Sequence, residues 1–226
     1  MSAPRQERSA LSISLRTALI MVLFTLAFTT LMALIYTATK STIEASAETE
    51  KLKLIGEVLP AAVYDNDLLQ DYVVLPATPA LGLDQPTRIY RARKHGAPAA
   101  LVFETAAADG YSGHIGLILA VRESGALFAV RVTRHRETPG LGDYIDPRKD
   151  KDKAHPWIGQ FDSTGFAEVP PAQWRVKKDG GYFEQRAGAT ISARAVTNAV
   201  GRALQWAAAN RARLFAASAN STLAQP

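Results

Sequence analysis

Two short stretches of this chain gather residue types that can hold a ligand. In His135-Arg136-Glu137-Thr138-Pro139-Gly140-Leu141-Gly142, a carboxylate, a hydroxyl and a proline lie between a strand-like segment and two glycines. Glycine permits positive φ and close approach of the backbone to a flat ligand, while Glu137 and the free N–H groups offer it hydrogen bonds. In Glu184-Gln185-Arg186-Ala187-Gly188-Ala189-Thr190-Ile191-Ser192, a hydroxyl arrives at the entrance of an apolar-periodic segment. Ser192 is a good helix N-cap, and the N–H groups after it, at the positive end of the helix dipole, suit an anion. A phosphate attached at Thr190 would lie at that end. Taken alone, the first stretch also reads as an ordinary loop and the second as a plain helix start.

Composition narrows the chemistry. The 226 residues include no cysteine, which removes disulfide scaffolds, thiolate zinc sites, Cys-ligated iron–sulfur clusters and Cys nucleophiles together. Oxygen, nitrogen or a bound cofactor must do the work. His95, His114, His135 and His155 show no pair at the helix or strand spacing of a metal site, so they take structural or surface roles. Gly110-Tyr111-Ser112-Gly113 lacks the residue that a nucleophile elbow needs between Ser and the second Gly. Trp157, Trp174 and Trp206 are assigned to the core. Of the net +5, residues 1–40 hold +3, so the other 186 residues carry only +2. That body offers no concentrated footprint for phosphate counterion release, and nucleic-acid binding is set aside. The run Arg148-Lys149-Asp150-Lys151-Asp152-Lys153 alternates in sign and reads as a solvated loop.

The elements that position these stretches begin with a membrane span. Thr17 to Thr39 is 23 residues without a charge. As a helix it reaches about 34 Å, enough to cross a hydrocarbon core roughly 30 Å thick. Arg5, Arg8 and Arg16 precede it, whereas the far flank mixes Lys40, Lys51 and Lys53 with Glu44, Glu48, Glu50 and Glu57. Short positive flanks stay inside, which puts residues 1–16 in the cytoplasm and the remainder beyond the inner membrane, on the periplasmic side. Ala45-Ser46-Ala47 has the A-x-A pattern of a cleaved signal peptide, but the apolar stretch is longer than a usual signal core and the pattern lies well past its end, favouring an uncleaved anchor.

Beyond the span, residues 40–98 read as a helical stalk ending before Pro60, then an irregular lead-in with Pro76, Pro79, Pro86 and Pro98 around a short strand at Arg88-Ile89-Tyr90. Sheet is expected from near Ala99. Ala99–Phe103, Gly116–Val121 and Ala126–Arg134 read as strands, the last two joined at Glu123-Ser124-Gly125. A short helix is expected around His155–Phe161. Strand–turn–strand is expected again at Trp174–Lys178, Asp179-Gly180-Gly181 and Tyr182–Glu184. A closing helix runs from about Ser192 to Ala217, with Val196, Val200, Leu204 and Ala207 on one stripe, and 218–226 form a tail. Strands first and a helix last give an α+β fold: one N-terminal transmembrane helix, then a mainly antiparallel sheet domain over 99–217 with flanking helices.

HRETPGLGDYI, WRVKKDGGYFEQ and AGATISARAVTNAV, in that order behind one N-terminal span, resemble the G subunit of the Rnf-type ion-translocating electron-transport complex. They resemble less closely the C subunit of the sodium-translocating NADH:quinone oxidoreductase. The resemblance covers roughly residues 10–215 and makes 99–217 an FMN-binding domain. It implies FMN held by a phosphoester to the threonine of the GAT motif, here Thr190 beside Gly188 and Ala189. It implies flavin contacts from Glu137, Thr138, Leu141 and Gly142, and a lysine near the cofactor, Lys177. Where such attachment motifs usually have Asp six residues before the acceptor and Ser or Thr three before it, this chain has Glu184 and Ala187. Tyr111 and Ser112 are assigned to the pocket lining.

The function so implied is an electron-transfer subunit with covalent FMN, working with other membrane subunits and modified by an FAD-dependent FMN transferase. A tethered flavin keeps fixed stoichiometry on the outer face, and the ring carries the redox chemistry, so no catalytic acid or base is needed. The competing expectation is an anchored extracytoplasmic sensory or binding domain without a redox group.

Overall fold

A computed structural model describes residues 4–223, so residues 1–3 of the expected cytoplasmic end and 224–226 of the expected tail lie outside the described residues. Helix α1 runs over Pro4–Gly56. Its stretch Ser12–Lys40 is 29 residues long, apolar enough to cross a membrane, and unburied. Three threonine hydroxyls within it turn back on their own helix: Thr25 donates to the Met21 carbonyl at 2.8 Å, Thr37 to that of Ala33 at 3.0 Å and Thr39 to that of Ile35 at 2.8 Å. Those bonds satisfy the only polar atoms of these side chains without a partner helix.

The body, residues 51–226, is built on a five-stranded antiparallel meander in the order β1 to β5. The strands are β1 Tyr72–Leu75, β2 Thr87–Lys94, β3 Ala97–Gly110, β4 Gly113–Arg122 and β5 Leu127–Arg134. Both faces are buried, which explains why the central strands are apolar almost throughout. Successive side chains serve opposite faces. Leu101, Phe103, Leu117 and Leu119 share a core with Ala193, Val196, Val200 and Leu204 of α2, Thr190–Ala216, and Val130 and Val132 of β5 extend that core toward the 3-10 turn at Trp157–Phe161. Val102, Ile118, Ala120 and Ala129 meet Ile55, Val58, Leu59 and Leu68 on the other side.

The structure differs from the sequence reading in three places. The sheet starts at Tyr72 rather than near Ala99, because β1 and β2 fit between the prolines: Tyr72 pairs with Tyr90 and Leu75 with Thr87. Trp174–Lys178 and Tyr182–Glu184 are not a hairpin. Val176 and Phe183 share a single parallel bridge around a 3-10 turn at Lys177–Asp179, closed by Gly180 at φ +78°. Burial, not ladder pairing, drives this segment, since the rings of Phe161 and Trp174 each lie 4.7 Å from that of Phe183. Finally, α2 begins at Thr190, so Ser192 is inside its first turn and Ala189 occupies the N-cap position.

Candidate functional site

The loop after β5 and the first turn of α2 meet over Glu137. This carboxylate is 4% exposed. Its Oε1 accepts from the Ser112 N–H at 3.0 Å, and its Oε2 accepts from the Ser192 hydroxyl. Two glycines make room for it. A Cβ at Gly110 would fall 2.9 Å from Oε1, and one at Gly142 would fall 2.9 Å from Oε2 and 2.6 Å from Ser192 Oγ. Ser192 therefore ties α2 to the loop instead of capping the helix, and the N-terminal turn of α2 has no side-chain cap.

The loop itself is pinned at both ends. Leu141 and Gly142 N–H groups donate to the Thr138 carbonyl, each at 3.1 Å, and Gly140 N–H donates to Asp143 Oδ1 at 2.9 Å. The Glu137 N–H donates to His135 Nδ1 at 3.2 Å, and His135 Nε2 lies 3.9 Å from Asp146 Oδ2. Burial pushes the Asp146 carboxyl up, but the hydrogen bonds and charge of Arg148, with His135, carry it below the usual carboxylate range.

The approach to α2 is pinned separately. The Tyr144 hydroxyl accepts from the Arg186 N–H at 3.2 Å and donates to the Ala189 carbonyl at 3.3 Å, while the Arg186 guanidinium lies 4.9 Å from the Tyr144 ring. Arg186 also pairs with Asp150, which is fully buried and accepts from Trp157 N–H at 2.7 Å and Asp152 N–H at 3.0 Å. Burial raises the Asp150 carboxyl, yet these N–H groups and Arg186 together hold it below its ordinary value. Burial is also the main reason the Tyr144 hydroxyl titrates above its ordinary value. The charged run at 148–153 is thus not wholly solvated: its Asp150 is an internal anchor.

Between these two pinned segments opens a cavity of about 240 Å³ lined by Tyr111, Glu137, Thr138, Leu141, Gly142, Gly188, Ala189, Ile191 and Ser192. Six of the eight residues selected from sequence lie in its wall: Glu137, Thr138, Leu141, Gly142, Gly188 and Ala189. Thr190, half-buried, opens α2 between two lining residues. Lys177 is not in this wall. It lies in the 3-10 turn rather than on a strand, and its ammonium pairs with Glu184. Ile191 and Ser192 are lining residues that the sequence reading did not select. Ser192 was signalled as a helix-start hydroxyl, while Ile191 carried no signal beyond its neighbours. A second, more open cavity of about 620 Å³ lies against Trp157, Gln160, Glu184 and Arg186 and holds none of the selected residues.

The first cavity suits a phosphorylated planar ligand. Uncapped first-turn amides of a 27-residue helix favour an anion. Gly188, at φ +84°, leaves open space where a side chain would stand. Leu141 and Ile191 are 55% and 44% exposed, an apolar surface for a ring.

The FMN-binding domain family matches residues 110–205, and the family described as RnfG N-terminal region matches residues 5–58. The G subunit of the ion-translocating oxidoreductase complex of Pseudomonas aeruginosa is 43% identical over 202 residues, 89% of this chain and 92% of its own length. The chain belongs to this G-subunit family. The proteins of the same name from Shewanella amazonensis and Photorhabdus laumondii are 40% and 42% identical, over 85% and 83% of this chain and 87% of each relative. The cavity falls entirely within the segment that matches the FMN-binding domain, so the Glu137 loop and the start of α2 belong to a flavin domain.

Proposed function

We propose that the chain is a membrane-anchored electron-transfer subunit of an Rnf-like ion-translocating oxidoreductase, carrying FMN as a phosphoester on Thr190 Oγ1. The observation that carries this reading is the convergence of the ETPGLG loop and the Gly188-Ala189-Thr190 turn on one cavity at an uncapped helix start. Bound there, the flavin supplies reversible redox chemistry that no side chain of this cysteine-free protein offers. The chain's own part is positional. The first-turn amides of α2 take the phosphate charge, the Thr138 hydroxyl supplies a polar contact while the N–H groups of Gly140, Leu141 and Gly142 hold the loop in shape, and Leu141 with Ile191 excludes water from the ring. Lys177 pairs with Glu184 and is not among the residues that line the cavity.

Attachment requires a transferase using FAD. The Thr190 oxygen bonds to the phosphorus of the FMN half, the pyrophosphate bond breaks, AMP leaves, and the hydroxyl proton is released. Ser12–Lys40 anchors the subunit, with the body on the periplasmic side, as the charge asymmetry of the flanks favours. The other subunits of the complex are its partners.

The test is intact-mass spectrometry of the chain purified from its native host, together with in-gel flavin fluorescence after denaturation. The expected result is an added mass of one FMN less one water, lost with Thr190→Ala and retained with Thr190→Ser. A bare chain in every preparation would favour the anchored binding domain without a redox group. Fluorescence surviving in Thr190→Ala would move the attachment elsewhere.

A further inference from the structure

Among the described residues of the body, five large apolar side chains are exposed: Leu52, Tyr111, Leu141, Tyr182 and Ile191. Single exposed apolar residues are ordinary, but a cluster marks a contact surface. Three of the five, Tyr111, Leu141 and Ile191, come from three separate elements and line the same cavity. Tyr111 is the most exposed of them, at 67%. It lies in the tight turn between β3 and β4, which Gly113 closes at φ +106°.

The placement of that turn depends on the carboxylate beneath it. Glu137 uses one oxygen on the N–H of Ser112, next to Tyr111, and the other on the hydroxyl of Ser192 in the first turn of α2. Both oxygens are committed to these partners, in a space that the missing Cβ atoms of Gly110 and Gly142 leave for the carboxylate. A buried carboxylate so employed links the hairpin turn, the loop and the helix start as one unit, since leaving the Glu137 carboxylate or the buried Ser192 hydroxyl unpaired costs free energy.

We propose that Tyr111 is the aromatic cover of the flavin ring, and that Glu137 is the positioning residue that holds it there through Ser112. This rests on the flavin reading above and deepens it, because Glu137 then acts through the protein and not as a direct flavin ligand. A planar aromatic ligand and a tyrosine ring gain from offset or edge contact beyond the area they bury.

The test uses the full-length flavinylated chain and reads the fluorescence lifetime of the attached flavin, which a tyrosine in contact quenches and a phenylalanine does not. Intact mass first establishes that each variant carries flavin, and the lifetime is then independent of the flavinylated fraction. Tyr111→Leu and Tyr111→Phe are both expected to lengthen the lifetime several-fold. Glu137→Ala is expected to lengthen it likewise, with Glu137→Gln restoring the wild-type value, since an amide offers Ser112 an acceptor and Ser192 a partner. The double variant Tyr111→Leu with Glu137→Ala should match Tyr111→Leu alone, because the second change acts through the first. Equal lifetimes in wild type and Tyr111→Leu overturn the cover, and additive changes in the double variant overturn the positioning role. A wild-type chain without covalent flavin overturns the underlying reading instead, and the mass measurement separates that outcome from the other two.

Discussion

Arg91, on β2, donates through Nη1 to the main-chain carbonyl of Leu214 at 2.9 Å, near the far end of α2. The same guanidinium, itself 2% exposed, reaches the Ala217 carbonyl and pairs with Asp71. Arg93 meets the other Asp71 oxygen at 2.8 Å and the Phe215 carbonyl at 3.1 Å. The last carbonyls of a helix lack partners within it, and a cation there also meets the negative end of the dipole. The sheet thus grips α2 at its C-terminus, while the Glu137–Ser192 bond ties its first turn to the loop after β5. A helix held at both ends presents Thr190 at one fixed height against the cavity.

Asp71 should therefore be costly to remove. Asp71→Ala leaves the buried Arg91 without its counter-charge and is expected to lower stability by about 3 kcal/mol, the usual loss when one partner of a buried pair is deleted. Arg93→Met, at a more exposed position, should cost about 1 kcal/mol. Denaturant titration of the full chain in detergent measures both. A loss for Asp71→Ala no larger than for Arg93→Met would show that the clamp stabilises nothing.

Gly142→Ala tests the fit around Glu137. The new Cβ would fall 2.6 Å from Ser192 Oγ, so either the first turn of α2 or the loop must shift. Overpacking of this kind costs about 1–3 kcal/mol. Gly140→Ala meets open space and strains only the backbone at φ +76°, which costs about 1–2 kcal/mol. Stability should fall in both, but the yield of covalent flavin should fall in Gly142→Ala alone, because only that change moves the helix start. Comparable yields in the two variants would contradict this account.

Legibility followed how local the determining forces are. β4 and β5 could be read because apolar runs flank a turn whose Gly125 does adopt positive φ, at +93°. The Glu137 loop and the Gly188-Ala189-Thr190 turn could be read because each is contiguous, although nothing in the spacing said that they face one cavity. β1 was hidden by the prolines around it, and of β2 only Arg88-Ile89-Tyr90 stood out between them. The segment 174–184 misled because aromatic residues buried in a core look like strand residues when taken in order. Asp150 was read as solvated because its partner Arg186 is 36 residues away, a distance over which sequence carries no pairing signal.

The orientation of the anchor can be checked directly. Arg5, Arg8 and Arg16 precede the span, and the far flank balances its lysines with glutamates. Protease added to intact spheroplasts should degrade the body beyond residue 40, while in intact cells the chain should survive. Protection in spheroplasts, with digestion only after lysis, would reverse the proposed topology.

Acid stability follows from Asp150 and Asp146, whose carboxyls both titrate below the ordinary aspartate value in the folded chain. A depressed folded value means that the unfolded chain binds more protons at acid pH. The stabilisation is therefore complete above the unfolded value of about 3.9 and is lost as pH falls through the folded value. Asp150→Asn removes the charge that Arg186 faces and keeps one acceptor for the Trp157 N–H. The variant should be less stable than wild type at pH 7, and the gap should close as pH drops below about 4. Denaturant midpoints measured from neutral to acid pH read this out. Curves that run parallel over the whole range would mean that the Asp150 charge contributes nothing to holding the approach to Thr190.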